Sequence, residues 1–142
     1  MKDVITKERT FNRSIQAVWN AISKAEELSA WFIDADFKAE KGYNYRFTSS
    51  GEENCTAIVG EILEADPYTL SYTWIVEGTK AVTTVTWRLE SEGENTKLYL
   101  EHSGISNYEG ETAVTMFNNF NGGWDNCMSE LNTYLKKEAH AG

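Results

Sequence analysis

The sequence predicts an α+β domain in which a curved antiparallel sheet of about six or seven strands faces one long helix near the C-terminus. The first observation is an alternation of apolar and polar side chains with a period of two, punctuated by turn residues, over residues 36–102. The second is a recurrence of apolar residues every three or four positions over residues 117–135, which is helical spacing. No other stretch is long enough to cover the apolar face of such a sheet, so this helix is expected to lie across it.

Size and composition are those of one compact domain covering residues 1–142. The formal net charge is −9, and an acidic chain repels phosphate backbones and anionic lipid headgroups, so neither nucleic acid nor membrane insertion is expected. The two cysteines are too few for a disulfide framework, and their separation matches no zinc site. No stretch has the apolar length of a membrane-spanning helix or a secretory signal. We expect a cytoplasmic protein with no cofactor and no metal.

The first elements are predicted to be a strand at about residues 2–11 and two short helices after it. Ser14 is a residue type that caps helix N-termini, and apolar residues follow it at helical spacing. Ser23 is predicted to open the second short helix, which carries Trp31 and Phe32 at its end.

Strands are predicted to fill the middle of the chain. Their expected extents are about residues 36–40, 43–49, 55–65, 69–76, 81–90 and 96–103. Since side chains alternate between the two faces of a strand, each strand divides into two sets. One set is apolar and aromatic, as in Leu70, Tyr72 and Trp74, and the other is polar, as in Ser71 and Thr73. The sheet is therefore expected to have one buried face and one solvated face.

The last helix is predicted to extend to about Ala139 after a loop at residues 104–110. Gly122 and Gly123 interrupt its pattern, and each glycine in a helix costs about 0.5–1 kcal/mol relative to alanine. Close contact between helix and sheet is the favoured explanation for this pair. A hinge that admits a ligand is the alternative.

Several side chains on the buried face combine an aromatic body with a polar tip. Each buried tyrosine hydroxyl or tryptophan N–H needs a hydrogen-bond partner, so a purely structural core is built more simply from Leu, Ile and Val. The face fits either a pocket for an apolar molecule with a few polar atoms or a solid aromatic core, and the pattern does not decide between them. The candidate ligand-binding residues are Trp31, Phe32, Tyr45, Phe47, Tyr72, Trp74, Trp87, His102, Phe117, Phe120 and Trp124.

Ordered motifs along the chain resemble those of a known family. Residues 14–23 read SIQAVWNAIS, residues 60–74 read GEILEADPYTLSYTW, residues 96–104 read TKLYLEHSG and residues 123–135 read GWDNCMSELNTYL. Together they resemble the START-like (SRPBCC) superfamily, and within it the family similar to the C-terminal domain of the heat-shock-protein-90 ATPase activator. The resemblance implies a helix-grip fold, in which the sheet wraps around the long C-terminal helix. It also implies a cavity whose mouth lies near the end of the second short helix.

His102 is the candidate polar group of that cavity. It is the one histidine expected inside the fold, because His140 lies close to the end of the sequence. A single histidine cannot make a metal site. Ser103 is expected on the opposite face of the strand, so no catalytic residue is assigned. We expect His102 either to orient a ligand carbonyl or hydroxyl, or to bond a nearby tyrosine or main-chain group.

The favoured function is binding of a small hydrophobic or aromatic molecule between the sheet and the last helix. A co-chaperone-like interaction is the first alternative. Residues 48–142 hold fifteen acidic against five basic side chains, which suits docking on a chaperone of the kind that the resemblance implies. The second alternative is an enzyme, since related cavities in the superfamily carry out cyclisation and hydrolysis, and His102 and the pocket tyrosines would be its acid–base groups.

Overall fold

The computed structural model describes residues 4–32, 34–48, 57–66, 68–76, 80–108 and 111–141. It confirms the predicted α+β helix-grip fold, with an antiparallel sheet, two short helices and a long C-terminal helix. No helix in these ranges is long and apolar enough to cross a membrane. The elements are β1 (Ile5–Phe11), α1 (Ile15–Ser23), α2 (Ala25–Trp31), β2 (Asp34–Asp36), β3 (Asn44–Thr48), β4 (Ala57–Asp66), β5 (Thr69–Val76), β6 (Thr83–Glu92), β7 (Asn95–Ser103), a 3-10 turn (Ile105–Asn107) and α3 (Glu111–Ala141).

The strands form one seven-stranded sheet in the order β1-β7-β6-β5-β4-β3-β2. Each neighbouring pair is antiparallel. From β2 to β7 the chain therefore passes from one strand to the next along the sheet, and β1 joins at the far edge beside β7. The helices pack on one face of the sheet, as the sequence pattern predicts.

The second strand differs from its prediction. The sequence pattern places it at 36–40, whereas β2 covers Asp34–Asp36 and Lys38 makes only an isolated bridge. The main-chain N–H of Ala35 donates to the Ser29 hydroxyl oxygen of α2 at 3.1 Å, which ties the start of this strand to the helix before it. So short a strand cannot show an alternating pattern, and its position is set by this contact with α2.

The short helices confirm one predicted cap and correct the other. The Ser14 hydroxyl oxygen accepts a hydrogen bond from the Ala17 main-chain N–H at 3.3 Å. Ser23 does not open α2, because it is the last residue of α1 and its hydroxyl donates to the Trp19 carbonyl. Lys24 occupies the N-cap position of α2 with no side-chain capping bond. A serine within a helix commonly bonds the carbonyl four residues back, and Ser23 is used in this way.

α3 runs without a break through Gly122 and Gly123. The predicted close packing of these glycines is wrong, because both are exposed and a Cβ on either would have no heavy atom within 4 Å. The helix is held on both sides of the pair by Lys7 of β1. Its Nζ lies 2.7 Å from Asn121 Oδ1 and 2.9 Å from Asp125 Oδ1. These bonds fix α3 where its intrinsic helix propensity is lowest.

The predicted division of the sheet into two faces is confirmed. Along β6, Val85, Trp87 and Leu89 are buried, while Arg88 on the other face is exposed. β7 follows the same alternation, whereas β5 also buries Ser71 and β4 has a register shift between Ile62 and Glu64. The core therefore lies between one face of the sheet and the three helices, and aromatic side chains of the sheet such as Tyr72 and Trp87 are part of it.

Candidate functional site

One part of the buried face is filled by aromatic rings in mutual contact. Phe37, Tyr45, Phe47 and Tyr72 form this packed cluster, and each is at most 4% exposed. The Tyr45 ring centroid lies 4.7 Å from that of Phe47 and 5.0 Å from that of Tyr72. The Phe37 centroid lies 5.8 Å from that of Phe47. These are separations of direct ring contact, so the rings of the packed cluster fill the space between them.

Polar tips in and around the packed cluster are bonded within the protein. The Tyr45 hydroxyl donates to a main-chain carbonyl of β5. Trp87 Nε1–H donates to the Tyr72 hydroxyl oxygen at 2.8 Å, and Trp31 Nε1–H donates to the Ala21 carbonyl at 2.8 Å. Buried groups of this kind are normally satisfied, and these behave as parts of a solid core.

The part of the same face that lies under the middle of α3 is not filled. A cleft of about 160 Å³ lies there, with the rings of Phe32, Trp74, Phe120 and Trp124 as walls together with Ile58. A dry apolar cavity of about 150 Å³ in an unrelated protein takes up benzene. The cleft therefore has the volume for one small ring.

The rim of the cleft is formed by α3. Asn119 and Gly123 lie about one helical turn apart, border the cleft and are exposed. Gly123 has no side chain to close the opening, and a Cβ there would meet open space. The lining residues that the structure describes carry no charge, so the chemistry of this lining is apolar with one amide at the rim.

The predicted site residues are divided between these two regions and their surroundings. Phe32, Trp74, Phe120 and Trp124 border the cleft. The others are packed in or against the core: Trp31, Tyr45, Phe47, Tyr72, Trp87, His102 and Phe117. Ligand binding by any of these residues stays a prediction.

His102 links the two tryptophans of the cleft. Trp124 Nε1–H donates to His102 Nδ1 at 2.9 Å. Since an indole nitrogen can only donate, Nδ1 carries no proton, and in the neutral ring the proton lies on Nε2. Nε2–H then donates to the Thr83 hydroxyl oxygen at 2.7 Å, and the Thr83 hydroxyl donates to the Trp74 carbonyl at 3.0 Å. A chain of hydrogen bonds thus connects one wall of the cleft to the other.

Burial keeps His102 uncharged. Its side chain is fully buried, and the loss of solvation lowers its pKa from 6.5 to about 4. The partners of its ring nitrogens are Thr83 and Trp124, rather than the tyrosine or main-chain group considered from the sequence. A ligand could bond either nitrogen only after one of these bonds breaks. In the structure as it stands, His102 positions the walls of the cleft.

Other ionisable groups of the interior are also kept neutral. Burial raises the pKa of the Cys127 thiol to about 12, and it raises the pKa of the Tyr45 and Tyr72 hydroxyls. A thiol in this protonated form is a poor nucleophile. Within the described ranges, no group of three or more His, Cys, Asp or Glu side chains could hold a metal ion. The interior is therefore an uncharged environment.

One polar atom in a wall of the cleft has no partner. Trp74 is 5% exposed, and its indole Nε1–H makes no hydrogen bond to any described residue. The rings around it belong to Phe47, Tyr72, His102, Phe120 and Trp124, at centroid distances of 5.2 to 6.5 Å. Among them only Tyr72 and His102 carry an acceptor atom, and these atoms already accept from Trp87 and Trp124. In this respect Trp74 differs from the bonded indoles of Trp31, Trp87 and Trp124.

Residues 12–136 match the model of the family described as Activator of Hsp90 ATPase homolog 1-like protein. The chain belongs to this family. The match covers most of the sequence and confirms the resemblance drawn from the motifs. The START-like fold of the family is that of ligand-binding domains. A comparison with curated proteins finds no match.

Solved structures share the fold of this chain. Protein BH1534 from Bacillus halodurans is 29% identical over 95% of this chain and 97% of its own, with a TM-score of 0.75. Protein MLL2253 from Mesorhizobium loti is 22% identical over 94% of this chain and 97% of its own, with a TM-score of 0.82. CalU16 from Micromonospora echinospora is 24% identical over 97% of this chain and 79% of its own, with a TM-score of 0.73.

Three residues of the cleft were not found from the sequence. Ile58 is followed by Val59, so β4 is apolar on both faces there and alternation does not show which side chain points inward. Asn119 is an exposed polar residue on a helix and gives no signal of its own. A glycine pair in an amphipathic helix is a signal, and at Gly123 it marks the open rim instead of close packing.

Proposed function

We propose that this protein binds a small hydrophobic or aromatic molecule in the cleft between the sheet and α3. The supporting observation is an apolar cleft of about 160 Å³ with aromatic walls, set in an interior that otherwise packs ring against ring. Removing apolar ligand surface from water gains about 25 cal/mol per Å². A filled cleft would also replace contacts that its wall residues lack when it is empty.

The walls are held in place without a ligand. The Trp124 ring lies between that of Trp74, at 5.2 Å, and that of Phe32, at 6.3 Å with nearly parallel planes. The hydrogen bonds through His102 and Thr83 fix the Trp124 indole and the main chain at Trp74. Walls that need not be ordered on binding reduce the entropic cost of association, which favours uptake of a rigid, flat molecule.

Toluene is a probe of suitable size for this cleft. A ligand that binds only the folded state stabilises it by RT ln(1 + [L]/Kd), which is about 1.4 kcal/mol at ten times Kd. For a chain of this length we expect toluene at that concentration to raise the Tm by roughly 3–6 °C. Thermal unfolding followed by circular dichroism measures this shift.

Gly123→Leu and Gly122→Leu form a matched pair of variants. Both replace an exposed glycine of α3, so both should raise helix propensity by about 0.8 kcal/mol. Only residue 123 borders the cleft. We expect Gly123→Leu to abolish the toluene response and Gly122→Leu to retain it. A wild-type protein that does not respond to toluene, or equal responses in the two variants, would contradict the proposal.

Docking on a chaperone is a second candidate function. The family description names an activator of the Hsp90 ATPase, and the acidic excess of residues 48–142 suits a basic partner surface. If toluene has no effect while the purified chain raises the ATP turnover of Hsp90, this role replaces ligand binding.

A further inference from the structure

We infer that the molecule bound in the cleft is an uncharged aromatic carbonyl compound whose oxygen accepts a hydrogen bond from the Trp74 indole N–H. The inference rests on the proposed function, since it names the chemistry of the ligand for that same cleft. It starts from the unpartnered donor in the cleft wall.

The protein itself offers the Trp74 N–H no acceptor. Its Nε1 is buried and unpartnered among the described residues. The nearby Thr83 hydroxyl is directed by its hydrogen bond to the Trp74 main-chain carbonyl, and it already accepts from His102. Of the neighbouring rings, His102 and Tyr72 already accept from Trp124 and Trp87, and Phe120 provides only ring atoms. A buried donor left in this state is unfavourable, so a ligand oxygen that reached it would relieve the cost.

The other indoles near the cleft show that this donor is exceptional. Trp31, Trp87 and Trp124 each donate Nε1–H to a protein acceptor, at distances of 2.8 to 2.9 Å. Their donors are satisfied before any ligand enters. Among these four rings, Trp74 alone borders the cleft with an unsatisfied N–H.

The charge and the hydrogen bonds of the cleft walls limit which chemical group of a ligand can accept the hydrogen bond from Trp74. No cationic side chain of the described residues lines the cleft, so a carboxylate or phosphate would lose its hydration without compensation. A ligand hydroxyl would bring a proton that needs an acceptor of its own. His102 Nδ1 and the Trp74 carbonyl each already accept a hydrogen bond, and the other side-chain acceptor at the cleft is the Asn119 amide at its exposed rim. A carbonyl oxygen is uncharged, and it accepts a hydrogen bond without donating one. It therefore needs neither a cationic partner nor a second acceptor.

Acetophenone and α-methylstyrene test this assignment. They have nearly the same size and the same carbon skeleton apart from one position, where the carbonyl oxygen of the first is replaced by a methylene group in the second. The readout is the set of indole N–H resonances of the tryptophans in the ¹⁵N-labelled protein, with that of Trp74 identified by its loss in Trp74→Phe. We expect acetophenone to move the Trp74 indole proton downfield, as hydrogen bonding does, and α-methylstyrene not to do so.

Trp74→Phe supplies a second readout, because it removes the donor and keeps an aromatic wall. The affinity ratio of acetophenone to α-methylstyrene should fall about tenfold in this variant relative to wild type, equivalent to ~1.4 kcal/mol. If the variant does not fold, the wild-type resonance still decides the matter, since contacts with the Phe47 and Phe120 rings identify it.

The outcomes separate this inference from the proposed function. Binding of both compounds with no downfield movement at Trp74 and an unchanged affinity ratio would overturn the carbonyl assignment and leave the cleft as a ligand site. Failure of both compounds to bind while toluene still raises the Tm would overturn this inference alone, and failure of all three to bind would overturn the proposed function with it. A downfield movement specific to acetophenone supports both.

Discussion

The packed cluster and the cleft are two regions of one aromatic interior with opposite properties. In the packed cluster, Phe47 is 1% exposed and the Tyr45 and Tyr72 hydroxyls are bonded within the protein. At the cleft, the Trp74 N–H is unbonded and Gly123 leaves the rim open. The residue types are alike, so aromatic content does not make a pocket. What differs is whether the opposing element supplies a side chain and whether each polar tip finds a partner.

The opposing elements explain the difference. Phe37, which follows β2, closes the packed cluster against Phe47 and Tyr72 at centroid distances of 5.8 and 5.9 Å. Over the cleft, α3 presents Phe120 and Trp124 to the interior but only a glycine at position 123. The strands present aromatic side chains in both regions. The space left above them is determined by the opposing segment, which is Phe37 in the packed cluster and α3 at the cleft.

Phe47→Ala should have the largest effect and would test how solid the packed cluster is. The ring is fully buried among other rings, so its removal leaves a cavity and should lower the free energy of unfolding by about 3–5 kcal/mol. Phe120→Ala is the matched change at the cleft, where the ring is half-buried, and should cost only about 1–2 kcal/mol. Urea unfolding measures both, and equal losses would remove the distinction between the two regions.

The buried histidine between the regions predicts a pH dependence. The pKa of His102 is about 4 in the folded protein against 6.5 when unperturbed, so the unfolded state binds the extra proton in this interval. Stability is complete above pH 6.5 and falls by up to about 1.4 kcal/mol per pH unit between pH 6.5 and 4.

The control for this pH dependence is His102→Gln, which keeps a neutral polar side chain and does not titrate. Urea unfolding at pH 7.5 and pH 4.5 should show a loss that is roughly 2–3 kcal/mol smaller in the variant, because the carboxylates contribute equally to both proteins. The same loss in both would show that His102 is not held neutral by the fold.

Alanine at the glycine pair should have the smallest effect and sharpens the description of the rim. A Cβ at residue 122 or 123 meets open space, so Gly122→Ala and Gly123→Ala should each stabilise the protein by up to about 1 kcal/mol through helix propensity. Thermal unfolding measures this gain. Destabilisation by Gly123→Ala alone would show that the rim is closed in solution.

Much of the fold could be predicted from local patterns. The alternation of Leu70, Tyr72 and Trp74 identified the buried face, and the Ser14 cap and the extent of α3 followed from residue type and spacing. Where the local signal was weak, the predictions were wrong. Ser23 resembles a cap but bonds back within α1, and β2 is too short to show a period.

The candidate site could be predicted only in part. Sequence periodicity places Tyr45, Trp74 and Trp87 on the same buried face, and it cannot distinguish a ring enclosed by neighbours from one beside a cleft. That distinction depends on Gly123 and Phe32, which lie far apart in the sequence and meet only in the folded chain.

By itself, the sequence determined which side chains face inward along β6, β7 and most of α3, because strand and helix periods fix side-chain direction along an element. It also determined the family through ordered motifs. The tertiary structure alone decided which inward rings touch, which polar tips are bonded and where space remains. These properties depend on distances between separate elements, here α3 and the sheet, and those distances result from packing across the whole core.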